Sequence, residues 1–582
     1  MIMQKEILNI FNSSEFCDKC AISYGENQIT YNELKNRSIK IAQSFINEGQ
    51  KDVIGVLLSD RCDYIISAIS ILLAGQVFCM IDDKYPEQYI ANMIEQADIK
   101  FILHDAGTSN RAQDILALTQ NHVQLKQIDK LLMGEPKLDT YLPSYNAKDP
   151  IYVYFTSGTT GIQKAILGKN EGLTHFINWE KGVLSLKDNI RTAQFTSQSH
   201  DPFLRDIFLP LLSGGTVCIP DKSVQSNSDI VSWINNNKVN VIHCTPSFFK
   251  YFAPPNSSFT DYPNLKYILL AGEKVHASAL HPWYEQFGEK ISLINLYGPT
   301  ETTLAKIYHP INKSDVDNYE IPIGKPINDT EIYILDENMT KCEIGQVGEI
   351  YIKTEYKTHG YLSAGKLDKE CFVYVSSNIN DLLYKTGDFG FINNDGNIVF
   401  KGRKDNEIKY RGYRINLSTI ADKIKEIEGI DDVVMVYNEK HDVIISYVVS
   451  KCEVDDVNIA KHIGRALPWY MIPEHFVKID MIPLTINYKI DIKKLPLPDV
   501  LEVSKQSTET EKMLTEIWER LLERSDIGLN DNFFRLGGHS MLMLKMQYEL
   551  SLRNIEISAD KLFVNQTISM LSNFIESGEY SE

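Results

Sequence analysis

The sequence predicts an α/β chain built from several units: a large N-terminal unit of βα sheets with a barrel-like β addition, a small α/β unit, and an all-α C-terminal unit. Three observations carry this. Strand-like and helix-spaced segments alternate from residue 29 to residue 296, the pattern of parallel sheets covered by helices. Beyond residue 320 the pattern changes to short strands joined by Gly-Asp and Asn-Asp-Gly turns. After a Pro-, Ser- and Thr-rich stretch the tail is helical only. At 582 residues the chain is also too long for one hydrophobic core.

In chain order, residues 31–48 have helical spacing, 52–58 read as a strand, and 64–74 as an apolar helix ending at Gly75. The alternation continues through strands at 151–155, 239–244, 265–270 and 292–296, with a helix at 230–236. Residues 349–353 and 391–400 belong to the meander or barrel-like addition. A second small α/β unit begins near Asp405 and runs to about Leu497. The tail contains helices at 511–524, 540–553 and 568–577, and no internal repeat is present.

Composition narrows the function classes. The net charge of −18 disfavours a nucleic-acid surface, although acidic proteins still bind ATP through local amides and a few cations. Nine cysteines are scattered, and Cys17 and Cys20 form a lone C-x-x-C, so zinc is not expected. A reduced, cytoplasmic protein is the simpler expectation. The N-terminus carries charge where a signal peptide needs an apolar core, and 65–77, the longest apolar run, is too short to span a bilayer.

Two segments carry chemistry. Tyr154-Phe-Thr-Ser-Gly-Thr-Thr-Gly-Ile-Gln-Lys164 follows a β-rich run. Gly158 and Gly161 let the backbone approach a ligand, the hydroxyls of Thr156, Ser157, Thr159 and Thr160 can donate, and Lys164 adds a point charge. The spacing is not that of a Walker loop. In Asp531-Asn-Phe-Phe-Arg-Leu-Gly-Gly-His-Ser540, the serine opens an apolar helical run. A serine there is most often a cap, and the positive helix end equally favours a phosphodiester on it.

The second segment resembles the phosphopantetheine attachment motif of peptidyl carrier proteins. The first resembles the signature loop of adenylate-forming enzymes, and further motifs of that superfamily follow in order. They are Ile29-Thr-Tyr-Asn-Glu-Leu34, Leu73-Ala-Gly-Gln-Val-Phe-Cys-Met-Ile-Asp82 with Tyr85-Pro86, and Asn295-Leu-Tyr-Gly-Pro-Thr-Glu-Thr302. Tyr384-Lys-Thr-Gly-Asp388, Gly402-Arg403 with Asp405, Leu467-Pro-Trp-Tyr-Met-Ile-Pro473 and Pro483-Leu-Thr-Ile-Asn-Tyr-Lys-Ile-Asp491 complete the set. Nearly the whole chain is therefore similar to a nonribosomal peptide synthetase adenylation domain fused to a peptidyl carrier domain. The resemblance implies an adenylation core at 1–404, its small mobile subdomain at 405–497, a linker at 498–508, and a four-helix carrier at 509–582.

What the resemblance implies can be stated residue by residue. The loop Thr156, Ser157, Gly158, Thr159, Thr160 and Gly161 faces ATP phosphates together with Lys164. Tyr297 stacks on adenine with Asn295 at its edge, Gly298 and Thr300 lie at the nucleotide, and Asp388 and Arg403 hold the ribose. Glu301 holds Mg2+, a hard cation that prefers oxygen. Lys489 stabilises the carboxylate attacking the α-phosphate, and Asp405 is the hinge that exchanges Lys489 for the carrier's thiol. Asp201 takes the α-ammonium of an amino acid, since a buried carboxylate needs a cationic partner. Pro202, Arg205, His243, Leu269, Ala271, Leu296, Leu304 and Ala305 line the side-chain pocket. Most are apolar, which favours an aliphatic or aromatic side chain. Arg205 and His243 either bond a polar or acidic side chain or pair with neighbours outside the cavity. Ser540 carries 4'-phosphopantetheine.

Some positions depart from the family's pattern: Gln163 stands where proline is usual, Tyr488 where glycine is usual, and residues 414–420 lack the usual acidic and glycine residues. The expected activity is ATP-dependent formation of an aminoacyl adenylate and thioester transfer to Ser540. An acyl- or aryl-acid ligase using free coenzyme A is the alternative, and a carrier protein with a decayed ligase the third reading; Asp201 argues against the former and the intact charged residues against the latter. With no condensation or thioesterase region in the 582 residues, the expectation is a stand-alone or initiating loading didomain. Its expected partners are a phosphopantetheinyl transferase and a downstream condensation or tailoring enzyme, with an MbtH-like helper left open and neither nucleic acid nor membrane involved.

Overall fold

A computed structural model describes the chain except at residues 1, 47–50, 121, 134, 136–141, 157–162, 186–188, 222–223, 225–226, 253–261, 318–320, 370–371, 375–381, 404–406, 440, 451–455, 484–491, 499–507, 523–526, 530–532, 534–539, 554, 559–560, 563–564 and 578–582. The chain divides into two compact units. One comprises Met1–Asp221, Ile234–Ile420 and Gly464–Met471; the other comprises Lys222–Trp233, Ala421–Ile463 and Ile472–Glu582.

The larger unit holds two mostly parallel sheets. In the first, the strands run in spatial order Lys325–Pro326, Ile307–Ile311, Ser292–Tyr297, Tyr267–Ala271, Val241–Cys244, Arg191–Ala193, Thr216–Ile219, Cys20–Tyr24 and Asn27–Thr30. The interior pairings are parallel, and the strands at both edges are antiparallel. The second sheet is centred on Pro150–Thr156, Val77–Met80 and Val53–Leu57. Fully buried runs such as Val-Phe-Cys-Met at 77–80 are what a sheet covered on both faces requires. A third, antiparallel sheet contains Thr330–Leu335, Gly348–Thr354, Leu382–Ile392 and Ile398–Arg403. It is the β addition expected beyond residue 320.

Local signals place the helices. Thr30 and Glu33 form a reciprocal capping box that starts the helix Tyr31–Ala42. Asp60 caps Arg61–Leu73 through the N–H groups of Cys62 and Asp63, and the chain leaves that helix through Gly75 at φ +78°. Residues 391–400 carry the expected Asn-Asp-Gly turn, between the paired strands Leu382–Ile392 and Ile398–Arg403.

The smaller unit contains a three-stranded sheet of Ile430–Asn438, Val443–Ser450 and His475–Ile479, and the helical tail. The described tail helices are Glu509–Leu521, Ser540–Ser551 and Ile568–Ser577. Thr508 and Glu511 form a second capping box. Trp518 is fully buried at the centre of this bundle, 4.9 Å from the Phe533 ring, with its Nε1–H donating to Met546 Sδ at 3.1 Å. Trp518→Ala empties that centre at a cost of about 3–5 kcal/mol. Hydrogen exchange on the full chain checks it: protection of Glu509–Leu521 is lost while that of Val77–Met80 is kept. No helix among the described residues is long and apolar enough to cross a membrane.

Candidate active site

The parallel strands of the first sheet end at a cavity of about 170 Å³ in the larger unit, the place where open α/β sheets put their ligands. Asn295, Leu296 and Tyr297, at the end of the strand Ser292–Tyr297, line it together with Ala271 from the neighbouring strand. Ala271 and Leu296 are register partners and share one rung of the sheet.

Tyr297, Asp388 and Arg403 form one group in the cavity lining. The Tyr297 hydroxyl donates to Asp388 Oδ2, and Arg403 Nη1 meets Asp388 Oδ1 at 2.8 Å. Asn295 donates through Nδ2 to the Pro322 carbonyl at 2.8 Å. Lys409, unforeseen from the sequence, lies 4.8 Å from the centre of the Tyr297 ring. Burial lowers its pKa, while Asp388 opposes that shift. Lys409 comes from a hairpin, Glu407–Tyr410 and Tyr413–Asn416, closed by Arg411 and Gly412 at φ +51° and +82°. Two positive φ values make this a type I′ turn, and Arg-Gly between two tyrosines was its sequence signal.

Asp201, Pro202, Arg205, Leu304 and Ala305 line the same cavity. Asp201 and Pro202 lead into the helix Phe203–Leu211. Burial pushes the Asp201 carboxyl up to about 6 against the opposing effects of the Thr300 hydroxyl and Arg205. Tyr413 stacks on Tyr470 at 3.7 Å and meets the edge of His200 at 4.2 Å, giving an aromatic wall. Burial lowers His200 to about 4, so its imidazole is neutral at physiological pH.

Thr303 and Leu304 both have left-handed backbone, φ +68° and +58°. Such conformations cost roughly 1–3 kcal/mol each and concentrate at functional sites. Gly298 packs directly against this segment: a Cβ there would fall 2.1 Å from the Leu304 carbonyl oxygen and 2.6 Å from Ala305 Cα. Both obstacles are backbone. Gly298→Ala is expected to displace the cavity wall at 304–305 and lower adenylation about tenfold or more, checked as kcat/KM for the acid and for ATP. A change in only one of the two would refute the shared wall.

Glu301 is buried beside the cavity. Its Oε1 accepts from the Tyr361 hydroxyl at 2.7 Å and from Arg414 Nη1 at 3.2 Å, while Oε2 is buried without a hydrogen-bond partner among the described residues. Burial pushes this carboxyl up, but Arg414 and Tyr361 outweigh it and hold the pKa below the ordinary glutamate value. An orphaned carboxylate oxygen of this kind fits a hard divalent cation. Among the described residues no cluster of three His, Cys, Asp or Glu that could hold a metal is present.

Residues 157–162, which include Ser157, Gly158, Thr159, Thr160 and Gly161, lie outside the described residues, as do Asp405 and Lys489. Thr156 ends one strand and lines the cavity, and Lys164 opens the antiparallel return strand with its Nζ 4.9 Å from the Tyr361 ring. The strands on either side of residues 157–162 pair antiparallel. His243 and Leu269 are not brought to the cavity wall. They are register partners on the rung below Ala271, two residues and thus about 7 Å further from the strand ends. His243 instead meets Asp206 at 2.8 Å and Glu180 at 3.1 Å in the core. Ser540 opens its helix in the smaller unit.

Known proteins place this geometry. The AMP-binding enzyme family matches residues 12–362, and the phosphopantetheine attachment site family matches 512–575. Gramicidin S synthase 2 of Aneurinibacillus migulanus is 31% identical over 584 residues, covering 96% of this chain and 13% of that protein. Tyrocidine synthase 1 of Brevibacillus parabrevis is 28% identical, covering 98% of this chain and 53% of that protein. The chain thus spans about a tenth to a half of the length of these curated relatives. A solved holo nonribosomal peptide synthetase protein containing adenylation and PCP domains, bound to a vinylsulfonamide inhibitor, superposes with a TM-score of 0.77 at 21% identity, covering 99% of this chain and 96% of that one. A four-domain nonribosomal peptide synthetase bound to AMP and glycine gives 0.62 at 26% identity, covering 99% and 43% respectively. With that family match extending over more than half of its length, the chain belongs to the AMP-binding enzymes and carries a phosphopantetheine attachment domain behind the adenylating fold.

Proposed function

We propose that this chain activates an amino acid with ATP and passes the acyl group to a phosphopantetheine thiol on Ser540. The observation that carries the reading is a single cavity lined both by Asp201 and by Asp388, Arg403 and Tyr297. It offers an ammonium site and a nucleoside site within one enclosure. The substrate carboxylate attacks the α-phosphorus of ATP, pyrophosphate leaves, and the aminoacyl adenylate remains. Ser540 would hold the phosphopantetheine arm, whose thiol would supply the nucleophile that takes the acyl group and releases AMP. The mixed anhydride turns an unreactive carboxylate into a good acyl donor.

Asp201 orients the amino acid by its α-ammonium, and the apolar wall of Leu296 and Leu304 keeps water from the anhydride. Asp388 and Arg403 fix the ribose, and Tyr297 presents its ring to the base. Glu301 holds Mg2+ through its free Oε2, with Arg414 and Tyr361 fixing the other oxygen. The cation supplies charge neutralisation at the phosphates. Lys164, Lys489 and the 156–161 loop retain the phosphate and carboxylate roles, and Asp405 the hinge role, given by the resemblance. A phosphopantetheinyl transferase arms Ser540, and a downstream condensation or tailoring enzyme removes the product.

Amino-acid-dependent ATP–pyrophosphate exchange tests the reading. Exchange with at least one amino acid supports it. Exchange driven only by fatty or aryl acids lacking an α-amine, with acyl transfer to free coenzyme A, overturns it.

A further inference from the structure

Among the charged groups that line the cavity, Arg205 is one that the reading above leaves unused. Arg205 lies on the helix Phe203–Leu211, one residue before Asp206. The residue is 4% exposed and lines the cavity, and its buried Nε has no hydrogen-bond partner among the described residues. A guanidinium is always charged and brings five N–H donors in a fixed fork. A buried, unpaired one demands an acceptor.

Two neighbouring acids are already committed. Asp206 Oδ1 faces His243 Nδ1 at 2.8 Å, and its Oδ2 accepts from the Thr196 N–H at 3.3 Å. Glu180 Oε1 faces His243 Nε2 at 3.1 Å. Glu180, His243 and Asp206 are all completely buried. Two carboxylates facing both ring nitrogens match an imidazolium, since neutral imidazole has only one N–H. Arg205 forms no ion pair with either of these acids, and none with Asp201. Glu180 Oε2 is also unpartnered, but Glu180 does not reach the cavity wall. Arg205 does.

We propose that Arg205 receives a carboxylate on the substrate's side chain, so that the amino acid selected by this cavity is an acidic one. This rests on the amino-acid reading above and names its substrate class. Asp201 takes the α-ammonium and Arg205 the side-chain carboxylate, so charges of opposite sign fix both the identity and the direction of the substrate. Ala271, Leu296 and Leu304 border the methylene stem and exclude water, which strengthens the ion pair. The buried triad of Glu180, His243 and Asp206 is a positioning device: it occupies the acids that would otherwise draw the guanidinium away from the cavity. Discrimination follows from the same geometry. An apolar side chain would cover the Arg205 donors without supplying an acceptor, and a site with an unpaired buried polar group rejects its ligand more strongly than a merely loose one does.

Pyrophosphate exchange by the full chain is the test, with aspartate, glutamate and their next higher homologue set against asparagine, glutamine, leucine and phenylalanine. The expected result is a kcat/KM at least about tenfold higher for an acid than for its own amide. Arg205→Leu should lower the value for that acid about 100-fold or more, with Arg205→Lys recovering part of the loss. Equal thermal stabilisation of wild type and variants by ATP shows that the cavity remains folded. The acid-to-amide ratio of the wild type needs no variant at all. If leucine, phenylalanine or an amide is the best substrate, or if Arg205→Leu keeps the acid preference, this inference falls and the amino-acid reading stands. If no amino acid supports exchange, both fall.

Discussion

Ser540→Ala abolishes thioester formation and leaves amino-acid-dependent pyrophosphate exchange within about twofold of wild type. The cavity and the attachment serine lie in different units of the chain. Every residue lining the cavity belongs to the larger unit, and Ser540 begins the helix Ser540–Ser551 in the smaller one. Removing the hydroxyl therefore takes away the attachment point for the thiol without touching ATP, the amino acid or Asp201. Intact-protein mass spectrometry after treatment with coenzyme A, a phosphopantetheinyl transferase, ATP and amino acid reads the outcome. Wild type gains the arm and then the acyl mass; the variant gains neither. Loading of the variant to the wild-type level would remove Ser540 from the reaction, and loss of exchange would mean that the substitution had disturbed more than the carrier.

Asp201→Asn has the largest effect expected on the first half-reaction. The substitution keeps the shape and the approach to the Thr300 hydroxyl but removes the charge that the α-ammonium needs. Leaving an ammonium buried without its partner typically costs 2–5 kcal/mol, so kcat/KM for the amino acid should fall roughly 30-fold to several thousand-fold, with ATP binding little changed. The pH dependence follows from burial, which raises the free-enzyme carboxyl to about 6. Only the carboxylate binds the ammonium, so kcat/KM of wild type should drop as pH falls through about 6, and this acidic limb should vanish in Asp201→Asn. Stability runs the other way. A carboxyl whose folded pKa is raised favours the fold while protonated and loses that contribution as pH rises through about 6. At neutral pH the variant should therefore melt higher than wild type while working far worse. A variant that is both less stable and less active would mean that Asp201 is a packing residue.

Much of this was legible in the sequence because the signals were local. Val-Phe-Cys-Met at 77–80 is a buried strand by composition, Thr30 and Glu33 announce a helix start three residues apart, and the turn residues beyond 320 fix the antiparallel sheet. Less accessible were features set by long-range registration. Whether His243 faces the cavity depends on how far Val241–Cys244 is offset from the strand ends, and the offset arises only when that strand pairs with Tyr267–Ala271. Glu180 and Asp206 are far from His243 in sequence, so their claim on its two nitrogens carries no periodic signal. The hairpin at 407–416 escaped for a different reason. Its Arg-Gly turn is a weaker cue than Asn-Gly or Asp-Gly, and that Lys409 would be delivered to Tyr297 and Arg414 to Glu301 is tertiary.

The left-handed pair Thr303 and Leu304 restricts how this pocket can be reprogrammed. A saturation library at Leu304 samples two properties together, the side chain offered to the substrate and the ability to sit at φ +58°. Glycine and asparagine meet the second demand with least strain, and valine and isoleucine with most. Survivors at this position would then be filtered by backbone fit before any selection for a new amino acid begins. Ala305, whose φ is not left-handed, and Ala271 lie on the same cavity wall without that filter, and they are the positions from which a change of substrate can be reached in single steps.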